Sequence, residues 1–201
     1  MTIIIALKDQ KNKRILLASD KQETTGQIKN SCNDKIIEKT IEVHDGYDNK
    51  IRTDKIYFGL SGWGFISNYL KYTYTMPPIK DEQNIIDYLY NDFLYGLREE
   101  LTERKLLGMH HDVFDSESGM IIVYRDEIYE VFRRFSIGLV EQEYCVGGSG
   151  WELAIGSLYT NLHFPQHEYL DAEDIIRQAI ITCGANTIYC DTNVNLKIIN
   201  Y

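Results

Sequence analysis

Threonine stands second in this chain, between Met1 and the apolar run Ile3-Ile4-Ile5-Ala6-Leu7. A residue this small behind the initiator methionine permits removal of that methionine. A threonine so exposed would hold a hydroxyl nucleophile and an α-amine on one residue, and the amine can act as general base for the hydroxyl. The unperturbed α-amine pKa is about 7.7–8.0, so a modest downward shift leaves it neutral and basic near pH 7. The chemistry this suits is acyl transfer from an amide. It needs a rigid strand to hold the tip, a cation beside the hydroxyl and a carboxylate to hold the cation.

The elements that must position that end can be read along the chain. Ile3–Leu7 and Ile15–Ala18 are continuous β-branched and aliphatic runs, of the kind found in strands covered on both faces. A polar turn at residues 9–13 makes them a hairpin ending at Asp20. Lys21 to Asn33 is polar, with a turn expected at Thr24-Thr25-Gly26. Strands are expected over 35–43 and 55–60, around a loop from His44 to Lys50 that contains Asp45-Gly46. A helix is expected from Phe65 to Thr75, ahead of Pro77-Pro78. A second carries Ile85, Leu89, Phe93, Leu97 and Leu101 at every fourth position, with Ile86, Tyr90 and Leu94 alongside. Residues 119–124 and 128–132 read as a hairpin, and 144–150 as a strand entering a glycine-rich turn. The next helix bears Trp151, Ala154, Ile155, Leu158, Tyr159 and Leu162. Asp171 caps another that presents Ile175, Ile176, Ala179, Ile180 and Cys183. Strands over 187–190 and 195–199 close the chain. Strands, helix pair, strands, helix pair, strands is an order that predicts an α+β chain, two stacked antiparallel sheets with helices outside each.

The 201 residues suffice for one domain with a substantial core, and no linker divides them. A net charge of −9 argues against nonspecific nucleic-acid binding. No apolar run approaches the roughly 20 residues that span a membrane, and the start lacks the basic and apolar segments of a signal peptide. A cytoplasmic protein is therefore expected, with Cys32, Cys145, Cys183 and Cys190 as reduced, structurally buried thiols.

The sequence resembles the proteasome β-type family of N-terminal nucleophile hydrolases, in particular its HslV-like branch. Thr2-Ile3-Ile4-Ile5-Ala6-Leu7 is similar to the opening strand of that family, with no propeptide. Leu17-Ala18-Ser19-Asp20-Lys21-Gln22-Glu23-Thr24-Thr25-Gly26 resembles its Ala-Gly-Asp-Gly-Gln-Ala-Thr-x-Gly stretch. Asn33-Asp34-Lys35-Ile36 falls near its catalytic lysine, and Phe58-Gly59-Leu60-Ser61-Gly62 is similar to its Ala-Gly-Phe-Ala-Gly turn. Val146-Gly147-Gly148-Ser149-Gly150 resembles its Ile-Gly-Ser-Gly turn. The resemblance spans nearly the whole chain and implies an αββα four-layer sandwich.

It also implies roles. Thr2 would be the nucleophile once Met1 is removed, and Lys35 the cation that favours its ionised hydroxyl and a neutral amine. Asp20 would hold and charge-balance Lys35. Gly59 would donate its N–H to the developing oxyanion, or else serve only strand packing. Ser149 would assist proton transfer near the amine, cap the following helix, or both. The family's second aspartate, which positions the amine, falls on Ala185, with Asn186 or Asp191 as substitutes. The turn between the first two strands is longer than the family's, and residues 44–53 form an insertion.

No metal or organic cofactor is implied. A homo-oligomeric ring, peptide or unfolded-protein substrates and an AAA+ ATPase unfoldase partner follow from the resemblance alone. Two other readings keep the fold: a catalytically inactive structural ring subunit, and an amidohydrolase acting on a small amide. His110-His111-Asp112 with Asp115 lacks metal-ligand spacing and reads as a solvated loop. The glycines around Ser149 lack the lysine of a phosphate-binding loop. Trp63 and Trp151 read as core or subunit-contact aromatics.

Overall fold

The computed structural model describes residues 2–25, 28–31, 35–62, 64–110, 113–115, 119–132, 135–164 and 170–201. The chain opens with β1 (Ile3–Asp9), one 3-10 turn (Gln10–Asn12) and β2 (Arg14–Asp20). There follow β3 (Gln22–Thr25), β4 (Ile28–Ser31), β5 (Ile36–His44), β6 (Lys50–Ser61), α1 (Gly64–Tyr72) and β7 (Ile79–Lys80). A long helical stretch comprises α2 (Ile85–Asp87), a π-helical segment (Tyr88–Leu94) and α3 (Tyr95–Glu103). Then come β8 (Gly108–His110), β9 (Val113–Asp115), β10 (Gly119–Tyr124), β11 (Glu127–Val131), β12 (Ile137–Leu139) and β13 (Tyr144–Gly148). The chain ends with α4 (Trp151–His163), α5 (Ala172–Asn186) and β14 (Val194–Asn200).

Two sheets carry the fold. One has the strand order β13-β1-β2-β14, the other β12-β11-β10-β6-β5-β7. Every pairing is antiparallel except β5 with β7. Period-two alternation along β1 and β2 explains their unbroken apolar runs. Ile3, Ile5, Leu7, Leu16 and Ala18 pack under α4 and α5, against Leu158, Ile176 and Ile180. Ile4, Ala6, Ile15 and Leu17 face the other way, into a layer shared with Tyr57, Ile121 and Val123 of the second sheet. Phe58, Leu60 and Ile122 on the far side of that sheet meet Leu70, Leu89, Phe93 and Leu97. The layers are helix, sheet, sheet, helix, the αββα sandwich that the sequence implied.

The structure amends several elements. Residues 22–25 pair with 28–31 as two antiparallel strands rather than a polar turn region, with Thr25 opposite Ile28. β6 runs from Lys50, extending the expected 55–60 strand through the insertion. Its hairpin loop is set by the Asp45 carboxylate, which accepts the backbone N–H groups of Tyr47 (2.8 Å) and Asn49 (2.9 Å). α1 stops at Tyr72, short of Thr75, because the N–H of Tyr74 already bonds back to Tyr69 five residues earlier. The expected regular helix over 85–101 contains a wider π turn, which rotates Tyr90 outward while Tyr88, Phe93 and Leu94 stay buried. β12 and the β8–β9 hairpin carry no periodic signal and escape the sequence reading. His110 lies in β8, not in a loop, whereas His111 and Asp112 fall outside the described residues, as do Cys32, Asn33, Asp34 and Trp63.

Trp151 is half exposed, so it is not a core residue, and Tyr159 on the same helix is also exposed. Cys145, Cys183 and Cys190 are free and buried, as expected. Among the described residues no helix is long and apolar enough to cross a membrane.

The strand expected at 187–190 does not form. A Cβ on Gly184 would lie 2.3 Å from the Asp191 backbone, so the chain leaving α5 folds back tightly across the helix's last turn. Pairing with β2 resumes only at Val194, opposite Asp20. The detour brings Asp191 alongside Asp20.

Candidate active site

Strands β1 and β2 pair so that Ile4 lies opposite Ser19, which sets Thr2 and Asp20 at the same end of the sheet. Alternation turns Thr2, like Ile4, toward the layer between the sheets. Thr2 is buried, Asp20 fully so, and Lys35 nearly so. The Thr2 hydroxyl donates to Asp20 Oδ1 at 2.7 Å. The same oxygen accepts the Lys35 ammonium at 2.7 Å and the Ile3 N–H at 3.0 Å. Asp20 Oδ2 accepts the N–H groups of Gln22 and Asp191, each at 3.2 Å. Five donors thus fix the carboxylate, and the ion pair balances its charge where the Asp20 side chain is fully buried. A buried carboxylate lacking such partners would be costly.

Lys35 is aimed from the entry to β5. Its backbone oxygen accepts Leu60 N–H at 2.8 Å, and its ammonium also donates to Gln22 O at 2.5 Å. This leaves the ammonium between the end of β2 and the start of β3. The geometry brings hydroxyl, carboxylate and ammonium together as the sequence implied, and it selects Lys35 as the lysine that does so.

The remaining candidates sort less evenly. Gly148 is in the left-handed region with φ +99, and a Cβ there would lie 2.2 Å from Thr2 O, so this glycine is required by the close approach. Ser149 follows it, and its backbone N–H donates to Thr2 O at 2.7 Å. Its side chain is exposed and does not cap α4; the capping residue is Gly150, without a side-chain bond. Gly59 lies within β6, opposite Ile36 and Ile121. A Cβ on it would meet Ile4 Cγ2 at 2.5 Å and Leu17 Cδ1 at 3.2 Å. Leu60 N–H points to the β5 side, so strand alternation turns the Gly59 N–H toward β10. Of its two readings from sequence, the geometry supports packing: the glycine lets the sheets close beneath Thr2.

Ala185 is exposed on α5, and Asn186 bonds back to its own helix at Thr182 O. Asp191 is the substitute that reaches the site. Its carboxylate accepts Lys21 N–H at 3.2 Å and Asn193 N–H at 2.9 Å, which locks the loop whose own N–H holds Asp20. Sequence reasoning missed Gln22, which is 2% exposed, supplies the carbonyl for Lys35 and ties the same loop down by donating to Ile188 O at 3.0 Å. Behind the loop, Cys183 and Cys190 pack around Gly150. Burial pushes the Cys183 thiol up to about 12, so it is a neutral packing group.

No protein-family model and no curated protein matches the sequence. Solved structures do match along the whole chain. Thiobacillus denitrificans BPH, a bacterial proteasome homologue solved in complex with epoxomicin, superposes with a TM-score of 0.74 at 18% identity, covering 99% of this chain and 98% of that one. A second structure of Thiobacillus denitrificans BPH gives 0.70 at 18% identity over 100% of this chain and 98% of that one. Eukaryotic HslV from Trypanosoma brucei gives 0.62 at 16% identity, with both chains covered in full. The chain therefore has the αββα fold of the proteasome β-type and HslV-like N-terminal nucleophile hydrolases.

Proposed function

We propose that this chain is a threonine-type peptidase subunit, one proteasome-subunit-like domain over residues 1–201, with Thr2 as its nucleophile once Met1 is removed. The observation that carries the reading is the buried meeting of the Thr2 hydroxyl, Asp20 Oδ1 and Lys35 Nζ at 2.7 Å each. Nothing in a merely structural strand end calls for that arrangement. The Thr2 oxygen attacks a peptide carbonyl while its proton passes to the freed α-amine. That amine then protonates the departing amine of the substrate, leaving an acyl ester on Thr2. Water, deprotonated by the α-amine, attacks the ester and restores the hydroxyl. Lys35 stabilises negative charge as it develops on the threonine oxygen, and Asp20 keeps the ammonium in place. Ser149 fixes the strand end through its backbone and offers an exposed hydroxyl beside it.

The homo-oligomeric ring, the AAA+ unfoldase partner and the cytoplasmic setting are inferred from the likeness to proteasome-type and HslV proteins. The inactive-subunit reading rests on Ala185 and on retention of Met1; Asp191 meets Asp20 through its backbone N–H, while its carboxylate holds the N–H groups of Lys21 and Asn193. Hydrolysis of fluorogenic peptides by the methionine-processed protein, compared with Thr2→Ala, tests the proposal. Hydrolysis that Thr2→Ala abolishes supports it, and equal rates in both proteins refute it. Turnover of small amides but not peptides would favour the amidohydrolase reading instead.

A further inference from the structure

Strand β14 ends the four-stranded sheet, with β2 on one side. Among the described residues no strand pairs with its other edge, and Ile198, Asn200 and Tyr201 are exposed there. The second sheet ends in β7 and β12, only two and three residues long. β14 has seven residues, no proline and an unbroken register with β2. A long, regular edge of this kind is a template for another strand.

Which groups face that edge follows from one hydrogen bond. Tyr201 N–H donates to Lys13 O, on the β2 side. Main-chain groups alternate between the two sides of an antiparallel strand, so those of Asn195, Lys197 and Ile199 also turn to β2. Those of Val194, Leu196, Ile198 and Asn200 turn outward. The side chains of Val194 and Leu196 lie on the helix side, against the core under α5. Alternation puts Ile198 there too, 37% exposed. Ile181 of α5, 44% exposed, adjoins them. It stands on the helix line that runs from Glu173, bridged to Arg14 opposite Asn200, to Gly184, packed on Asp191 just before β14. Lys197 is on the other face, where Glu38 neutralises it at 2.7 Å.

The edge therefore reads apolar at Val194, Leu196 and Ile198 and polar at Asn195 and Lys197. An antiparallel copy centred on Leu196 sets Leu196 against Leu196, Val194 against Ile198 and Asn195 against Lys197. The outward main-chain groups then face one another as hydrogen-bonded pairs. Centring on Lys197 instead would set lysine against lysine. The pattern is complementary to itself, which commits the edge to a second copy rather than to an arbitrary peptide.

We infer that β14 is an interaction surface for a second copy of this chain. Two β14 strands pair antiparallel about a two-fold axis at Leu196, join two four-stranded sheets into one and cover Ile181 and Ile198. This contact is separate from the head-to-tail contact that a ring requires, and it does not depend on the peptidase reading.

Ile198→Pro deletes one outward N–H and leaves the ladder to β2 its donors. Sedimentation equilibrium at one protein concentration should show half the wild-type mass for this variant, with circular dichroism unchanged. Equal masses overturn the inference, as does a wild-type protein that is a monomer. Leu196→Cys, oxidised with diamide, tests the same contact without touching the backbone. Cα atoms of facing residues would stand about 5.5 Å apart, inside the disulfide range of about 4.4–6.8 Å. A non-reducing gel should show a species of twice the chain mass for Leu196→Cys and not for Asn200→Cys, which lies on the same edge but out of register. If Ile198→Pro does not fold, this gel decides alone. No cross-link through Leu196→Cys, or one through Asn200→Cys only, overturns the inference.

Discussion

Lys35→Met deletes one charge and keeps most of the side chain's volume. Asp20 is fully buried, and its Oδ1 would retain Thr2 and Ile3 as donors while Oδ2 kept Gln22 and Asp191. The carboxylate would have four hydrogen bonds and no contacting countercharge. Breaking a buried pair from one side costs about 3–5 kcal/mol, and the four remaining donors put this site near the lower end, about 3 kcal/mol. Asp20→Asn does the converse, leaving the ammonium with Gln22 O and a side chain that is 10% exposed. The cost expected there is about 2 kcal/mol, the scale of a hydrogen bond to a charged group. The double variant buries no charge at all, so the two losses do not add, and the coupling energy should be about 2 kcal/mol. Urea denaturation of the four proteins at pH 7 and one fixed protomer concentration measures it. A coupling below about 0.5 kcal/mol, as for an exposed pair, would refute the buried-pair account.

Further outcomes follow from single sites. Gly148→Ala should lower stability by about 2–3 kcal/mol in thermal unfolding, since φ is +99 and the new Cβ would meet Thr2 O. Asp191→Ala should lower peptide hydrolysis about tenfold with circular dichroism unchanged, because the loop that holds Asp20 loses its two backbone anchors. Iodoacetamide at pH 8 should leave Cys183 unlabelled in the native protein and label it in urea, since burial holds the folded thiol near about 12. The linkage sign follows: the unfolded thiol ionises above about 8.5 while the folded one stays protonated, so the urea midpoint should fall as pH rises above about 8.5.

Much of the sandwich was legible because its layers write directly into side-chain pattern. β1 and β2 are apolar on both faces because one face meets helices and the other a sheet, and their hairpin turn sets them apart from the doubly covered strands of parallel sheets. Asp171 and the apolar positions of α5 were equally plain; the carboxylate caps Asp174 N–H at 2.9 Å. Thr2 was legible from its own chemistry, a hydroxyl and an α-amine on one residue, whereas Asp20 and Lys35 were named only through the family resemblance, because a lone Asp and one lysine among several carry no signal of their own. It was illegible where tertiary packing decides. Thr187-Ile188-Tyr189-Cys190 has strand composition, yet Gly184 lets the chain double back and Ile188 ends up exposed. Gln22 looked like one polar residue among many, and only the fold shows its carbonyl under Lys35. Ser149 had the composition of a helix cap, but the chain uses its backbone instead.

The central claim is that Thr2 carries both nucleophile and base. Intact mass of the purified protein, with and without a peptide epoxyketone, tests it most directly, because that warhead captures a hydroxyl and a free α-amine on the same residue. The account predicts loss of the methionine mass and a single adduct that maps to Thr2 and is absent from Thr2→Ala. A protein that has lost Met1 and still takes no adduct, or takes one elsewhere, would contradict it.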